Sequence, residues 1–310
     1  MKTVRQAVGD YLALRRNLGF KLKDYEHCLQ EFISFLKKES STRLTTRLAL
    51  QFATQHQHHQ PAQWAARLRI VRGFARYRSG EDPTTEIPPS GLLPYRPLRA
   101  RPYLYTTKEI RKLLEAAQNL HSTSILKPWT YYCLFGLLAT TGMRISEALN
   151  LHAKDIDWSV GVLTIRGTKF GKSRLVPLHP STQKVLLAYA QRRDRFFGKK
   201  PVVHFLASSR GTRLDGGHVR RTFYQLSRQI GLRAISASHG PRLHDFRHRF
   251  AIETLLRWYR KGKDVERRLP VLSTYLGHAH VTDTYWYLTS TPELMRAAGR
   301  RMEQRWGGLL

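Results

Sequence analysis

The chain has 310 residues, 41% of them hydrophobic, enough to bury a core and long enough for two domains. Its 53 Lys+Arg against 22 Asp+Glu leave a formal charge of +31, which argues against cationic ligands and points to a polyanion, nucleic acid ahead of an anionic membrane surface. The most apolar run, YYCLFGLLATTG (Tyr131–Gly142), falls well short of the ~20 residues that span a bilayer, so no membrane partner is expected.

The opening MKTVRQAVGDYLALRRN is charged throughout and lacks the apolar stretch of a secretory signal. Cys28 and Cys133 both fall in apolar helical patterns and read as small buried hydrophobes, which fits a reduced, cytoplasmic setting. Residues 1–80 read as about four helices. Val4, Val8, Tyr11, Leu12 and Leu18 fall near a 3.6 period, as do Leu29, Phe32, Ile33 and Leu36, and the segments Thr46–His56 and Pro61–Tyr77 repeat the pattern. The arginines of RLRIVRGFARYR (Arg67–Arg78) recur between apolar residues, and with so large a net charge they predict a phosphate-contacting helix face. The stretch Ser79–Pro102 is crowded with Pro and Gly and has no period. It predicts a linker over 81–105 between a helical DNA-binding domain, 1–80, and a larger domain, 106–310.

That larger domain opens with TTKEIRKLLEAA, a capping signal followed by an apolar stripe. In GVLTIRGTKFGKSRLVPL (Gly161–Leu178), Val162, Thr164 and Arg166 alternate with Leu163 and Ile165 ahead of a Gly-containing turn. This predicts a β-hairpin with Lys169 at or near its turn. Helices are expected again at Ser181–Phe196, Gly216–Ile230, His244–Tyr259, Leu269–Tyr275 and Pro292–Trp306. The fold class is therefore mainly α with a small β-sheet.

Three polar sites carry chemistry when read together. Arg144 stands between a glycine turn and a helix start, with Glu147 three residues on. HDFRHRFA places His244 and Arg247 on one helix face, and YLGHAHVTDTYWYL places His278 nine residues before Tyr287. Two arginines, two histidines, the hairpin lysine and a tyrosine form a metal-free kit for phosphoryl transfer. Guanidiniums grip non-bridging phosphate oxygens, histidines donate hydrogen bonds or shuttle protons, lysine protonates a leaving oxygen, and tyrosine attacks. His244 and His248, at i and i+4, have the spacing of zinc ligands. However, HDFRH has no glutamate beside the first histidine, and Arg247 would sit against the metal, so neither metal nor cofactor is expected.

These boxes, in this order, resemble those of the tyrosine recombinases, the family of phage integrases and Xer-type recombinases. The resemblance covers the region from about Thr106 to Leu310 and, more weakly, the N-terminal bundle. ATTGMRISEALNL looks like the family's first arginine box, which makes Arg144 a catalytic arginine with Glu147 its acidic companion. GTKFGKSRLVPL resembles the hairpin carrying the catalytic lysine, Lys169 by alignment on RLVPL, with Lys172 the competitor. LHDFRHRFA resembles the His-x-x-Arg box, His244 and Arg247, and LGHAHVTDTYWYL the box of the last histidine, His278, and the nucleophile, Tyr287. Two departures stand out: Phe170 replaces the turn glycine, and Tyr285 offers a second tyrosine two residues early.

The resemblance implies a two-domain protein clamping double-stranded DNA, with an N-terminal core-binding bundle and an integrase-type catalytic domain. It implies strand exchange through a 3′-phosphotyrosyl link for integration, excision, transposition or multimer resolution, in a nucleoid-associated homotetramer on paired sites, with accessory recombinases or DNA-bending proteins as further partners. A type IB topoisomerase shares most of these residues, and a DNA-binding accessory protein with a dead catalytic domain is the rival of another class. In the tail helix, 291–306, Leu294, Met295, Ala298, Met302 and Trp306 form one apolar face, which suits docking on a neighbouring protomer.

Overall fold

A reciprocal cap starts the first helix: the Gln6 amide donates to the Thr3 hydroxyl, and the Thr3 amide donates to the Gln6 side chain. The computed structural model describes residues 2–93, 102–167, 173–237 and 239–307. It divides into two units, Met1–Ala100 and Arg101–Leu310. The first holds α1 (Val4–Asn17), α2 (Lys23–Lys38), α3 (Thr46–Thr54) and α4 (Pro61–Arg78). Their apolar stripes meet around Phe32, Phe52 and Phe74, all fully buried, with Phe32 and Phe52 edge to face at 5.0 Å.

Two expectations change in this unit. Of the five arginines in Arg67–Arg78, three are engaged within the protein. Arg67 pairs with Glu31 and covers the Phe52 ring, Arg72 donates to the Pro88 and Pro89 carbonyls, and Arg78 is buried against Asp82 at 3.1 Å. Arg69 and Arg76 are exposed, so α4 does not present a continuous basic face. The segment 81–93, expected to be linker, is held on this unit. The Glu86 amide donates to the Leu44 carbonyl, the Glu86 carboxylate accepts from the Thr46 amide, and Leu93 packs on the core. Proline prevents a helix there, but its carbonyls still accept hydrogen bonds, and those contacts order the segment.

The second unit begins with Tyr103 and Tyr105. The Tyr105 ring stacks on Phe246 at 4.5 Å and its hydroxyl donates to the Arg242 carbonyl. Then follow α5 (Thr107–Gln118), capped by Thr106 and Glu109, α6 (Leu126–Thr141) and α7 (Ile145–Leu149). A three-stranded antiparallel sheet comes next: β1 (Ile156–Asp157), β2 (Val162–Ile165) and β3 (Arg174–Pro177) in the order β1-β2-β3. The expected hairpin is β2 paired with β3, Ile165 opposite Arg174, while its turn lies outside the described residues; β1 adds an edge strand. The chain continues with α8 (Pro180–Phe197), α9 (Gly216–Gln229), α10 (Asp245–Arg260), α11 (Val265–Leu276), α12 (Thr282–Tyr285), a 3-10 turn at Trp286–Thr289, and α13 (Pro292–Trp306). α11 starts four residues before the expected Leu269, because the Asp264 carboxylate caps it and Pro270 is accommodated inside.

Two apolar clusters fill this unit. One surrounds α6 and reaches the sheet through Leu163, Ile165 and Val176; the other joins the second half of α10 to α11, Tyr287 and Leu294. The apolar run Tyr131–Gly142 is thus core, and no described helix is long and apolar enough to cross a membrane. The tail helix α13 packs in cis: Leu294 is buried in the second cluster and Glu293 pairs with Arg260. Met295 and Met302 stay exposed, because consecutive helical residues such as Leu294 and Met295 point about 100° apart. The single face expected of this helix is therefore divided.

α6 ends at Gly142, whose φ of +61° is left-handed and whose missing Cβ would lie 2.7 Å from the Phe250 ring of α10. Gly142→Ala is expected to destabilise the second unit by about 2–4 kcal/mol, the sum of backbone strain and overpacking. Urea unfolding measures this; a loss at the low end would mean that Phe250 moves aside and only the backbone strain remains, and an unchanged midpoint would refute both contributions.

Candidate active site

The site is assembled at the end of α11. There Gly277 turns left-handed (φ +67°), its amide bonding the Thr274 carbonyl and the His278 amide the Ser273 carbonyl. Three further carbonyls, of Tyr275, Leu276 and Gly277, point onward. Each accepts from a different arginine: Tyr275 from Arg174 Nε at 2.7 Å, Leu276 from Arg247 Nη2 at 2.6 Å, and Gly277 from Arg144 Nη2 at 3.0 Å. Arg247 also donates to the Gly142 carbonyl at 3.1 Å, so the turn before Arg144 and the turn before His278 share one guanidinium.

Arg144 sits at the N-cap of α7, with its side chain 25% exposed, and Glu147 lies beneath it. The Glu147 carboxylate accepts from the Arg144 amide and from Arg144 Nη1, both at 2.9 Å, and takes the Arg174 fork at 3.0 and 2.7 Å. Burial works to raise its pKa, but Arg174 and Arg144 outweigh burial and hold it below the ordinary carboxylate range. Two guanidiniums thus bond one carboxylate, and Arg247 lies within range of its charge, so the group as a whole keeps two formal positive charges. Arg247 is almost wholly buried; burial, then Arg144, lowers its pKa to about 10, still protonated at neutral pH.

The two histidines lie around these arginines. His244 precedes α10, and His278 follows Gly277, with Nδ1 2.7 Å from the Thr284 hydroxyl. Burial, with the cation Arg247 next in weight, lowers both pKa values to about 4. Both rings are therefore neutral at pH 7. Tyr287 lies in the 3-10 turn, 2% exposed, its ring stacked on His278 at 6.1 Å and set against His248 at 5.6 Å. Tyr285, the other candidate, is 51% exposed.

Arg144, His244, Arg247, His278 and Tyr287 are thus brought together. Lys169 and its competitor Lys172 lie outside the described residues. Sequence reasoning missed Arg174 and Thr284. Arg174 stood in the RLVPL stretch used only to align the lysine, and Thr284 lies six residues after His278, within reach of its ring only because α12 turns back.

Such an arrangement has the charge and the donors to bind and polarise a phosphate diester. Residues 104–293 match the phage integrase family. A Sinorhizobium fredii protein named "Putative integrase/recombinase y4rB" is 56% identical over 310 residues, covering 99% of both chains. The tyrosine recombinase XerD of Mycobacterium tuberculosis is 31% identical over 275 residues, 87% of this chain and 80% of its own. The fold resembles that of the Tn1549 transposon integrase in complex with transposon right end DNA, at a TM-score of 0.65 and 16% identity over 98% of this chain and 99% of that one. It also resembles the XerH site-specific recombinase bound to palindromic difH substrate, at 0.63 and 19% over 89% and 78%. With residues 104–293 matched to the family and a 56% identical integrase/recombinase relative along almost its whole length, the chain belongs to the phage integrase family of tyrosine recombinases.

Proposed function

We propose that this protein is a site-specific DNA recombinase that cleaves and rejoins duplex DNA through a 3′-phosphotyrosyl intermediate, without a metal or cofactor. The observation that carries the reading is the convergence of Arg144, Arg174 and Arg247 on the end of α11, with one carboxylate, Glu147, bonded to the first two. Its two uncompensated charges suit a phosphate diester whose negative charge grows as phosphorus becomes five-coordinate. Arg144 and Arg247 hold the phosphate. The Tyr287 hydroxyl attacks phosphorus, the bond to the 5′ oxygen breaks, and that oxygen leaves as a hydroxyl, protonated by the hairpin lysine, Lys169 or Lys172. A neutral His244 or His278 accepts the tyrosine proton or donates a hydrogen bond to a phosphate oxygen. The phosphotyrosyl ester conserves the bond energy, so rejoining to a new 5′ hydroxyl needs no ATP.

Tyr287 is assigned in preference to Tyr285 because its ring lies against His278, while half of Tyr285 faces solvent. The first unit supplies further grip on DNA, consistent with the net charge of +31. The integrase/recombinase relative and the DNA-bound recombinases support a role in integrating, excising or transposing a mobile element. In this reading the protein works on the nucleoid as a homo-oligomer assembled on paired sites, with accessory recombinases or DNA-bending proteins as further partners.

On a nicked suicide duplex drawn from DNA selected by the protein itself, the unmodified protein is expected to form a covalent adduct in EDTA. Tyr287→Phe should bind DNA and form none, while Tyr285→Phe should still form it. The reverse pattern on denaturing gels would move the nucleophile to Tyr285, and an adduct that appears only with added zinc or magnesium would restore the metal reading of His244 and His248.

The histidines also set a pH dependence. Their folded pKa values of about 4 lie below the ordinary 6.5, so the unfolded chain binds more protons in that interval. Stability from keeping these rings neutral is complete above pH 6.5 and is lost as pH falls toward about 4. Replacing His244 by Gln should flatten the fall of the urea midpoint over that interval. An equally steep fall in the variant would place the loss on other groups.

A further inference from the structure

Arg174 has none of the exposure expected of a group that touches DNA. Its side chain is 8% exposed, and it directs three hydrogen bonds inward, two to the Glu147 carboxylate and one to the Tyr275 carbonyl. It lies flush on the backbone of Gly277, where a Cβ would come within 2.8 Å of its Nη1. Gly277 is in turn the residue before His278, and its carbonyl is the one that Arg144 holds.

The competition at Glu147 is what makes Arg174 consequential. Glu147 Oε1 accepts from both Arg144 Nη1 and Arg174 Nη1, at 2.9 and 3.0 Å, and Oε2 accepts from the Arg144 amide and Arg174 Nη2. A buried carboxylate with Arg144 as its sole cationic partner would cancel the charge that Arg144 needs for a phosphate. With Arg174 present, Glu147 is neutralised from the sheet side while it still orients Arg144. We propose that Arg174 is a positioning residue for strand cleavage: it balances Glu147, so that the Arg144 guanidinium keeps its net positive charge for the scissile phosphate. This rests on the recombinase reading. The cluster carries +2 with Arg174 in place and +1 without it; removing the Glu147 charge as well restores +2.

The experiment is a double-mutant cycle on the full chain, with adduct formation on the nicked suicide duplex and duplex affinity measured side by side. Arg174→Gln is expected to slow adduct formation by roughly 10–100-fold, the range for residues acting behind a reacting shell. Duplex affinity should change by less than about threefold, since the Arg174 guanidinium is buried against Glu147 and the Tyr275 carbonyl. Glu147→Gln added to Arg174→Gln is expected to recover at least about fivefold of that rate, because the carboxylate left unbalanced is then gone. A purely structural Arg174 would give a double variant as slow as the single one or slower, and that result overturns the proposal.

Where Arg174→Gln does not fold, Arg174→Lys decides. It keeps the charge and loses the fork, so a rate within about tenfold of the unmodified protein supports the charge-balancing role, and a folded lysine variant slowed by more than about a hundredfold overturns it. An unmodified protein that forms no adduct overturns the recombinase reading and this proposal with it. An active unmodified protein whose double variant is not rescued overturns the proposal alone.

Discussion

The end of α11 presents three carbonyls in succession, and guanidiniums from β3, from the start of α7 and from α10 take one each. A helix C-terminus carries roughly half a negative charge, and its last carbonyls need donors from elsewhere. Cations therefore settle there more easily than at most buried positions. The same contacts fix the geometry of the site. Because Arg144 and Arg247 are both tied to the residues just before His278, the two guanidiniums and the histidine are placed by a single turn of backbone.

That turn also lies between the two apolar clusters of the catalytic unit. Arg144 and the sheet belong to the side packed around α6, and Tyr287 belongs to the side packed around α11 and α13. α10 belongs to both, through Phe246 on one side and Ala251 to Leu256 on the other. Apolar packing holds each side together and has no directional preference, so by itself it would leave the two sides free to slide. The guanidinium-carbonyl bonds have direction, and they set the register of the side that bears Tyr287 against the side that bears Arg144.

Much of this was legible in the sequence, for a reason that follows from the chemistry. Arg144 with Glu147, His244 with Arg247, and His278 with Tyr287 each fall within one short stretch, where spacing along a helix or a turn already dictates proximity. The bundle helices and the β2–β3 hairpin were equally legible, since periodicity reports which face is buried. What escaped depends on contacts distant in sequence. Arg174 meets Glu147 across 27 residues and the Tyr275 carbonyl across 101. The arginines of α4 looked like a DNA-facing row until Glu31, Asp82 and two proline carbonyls were found to occupy three of them. A basic residue in a sequence announces its charge but not its partner.

Why all three positions are arginine follows from burial. A lysine taken from water into such a site loses its proton readily, since desolvation alone shifts a buried ammonium by several units. Arg247 is 1% exposed and lies near Arg144, yet its pKa falls only to about 10, so it keeps its charge where a lysine would become neutral. The planar fork matters as much. Arg247 spans the Gly142 and Leu276 carbonyls, and Arg174 closes two bonds on one carboxylate while its Nε reaches a third acceptor. An ammonium has the donors but no fixed plane to aim them. Cations buried in such surroundings keep their charge and their aim only if they neither deprotonate nor swing, and guanidinium is the side chain that satisfies both conditions.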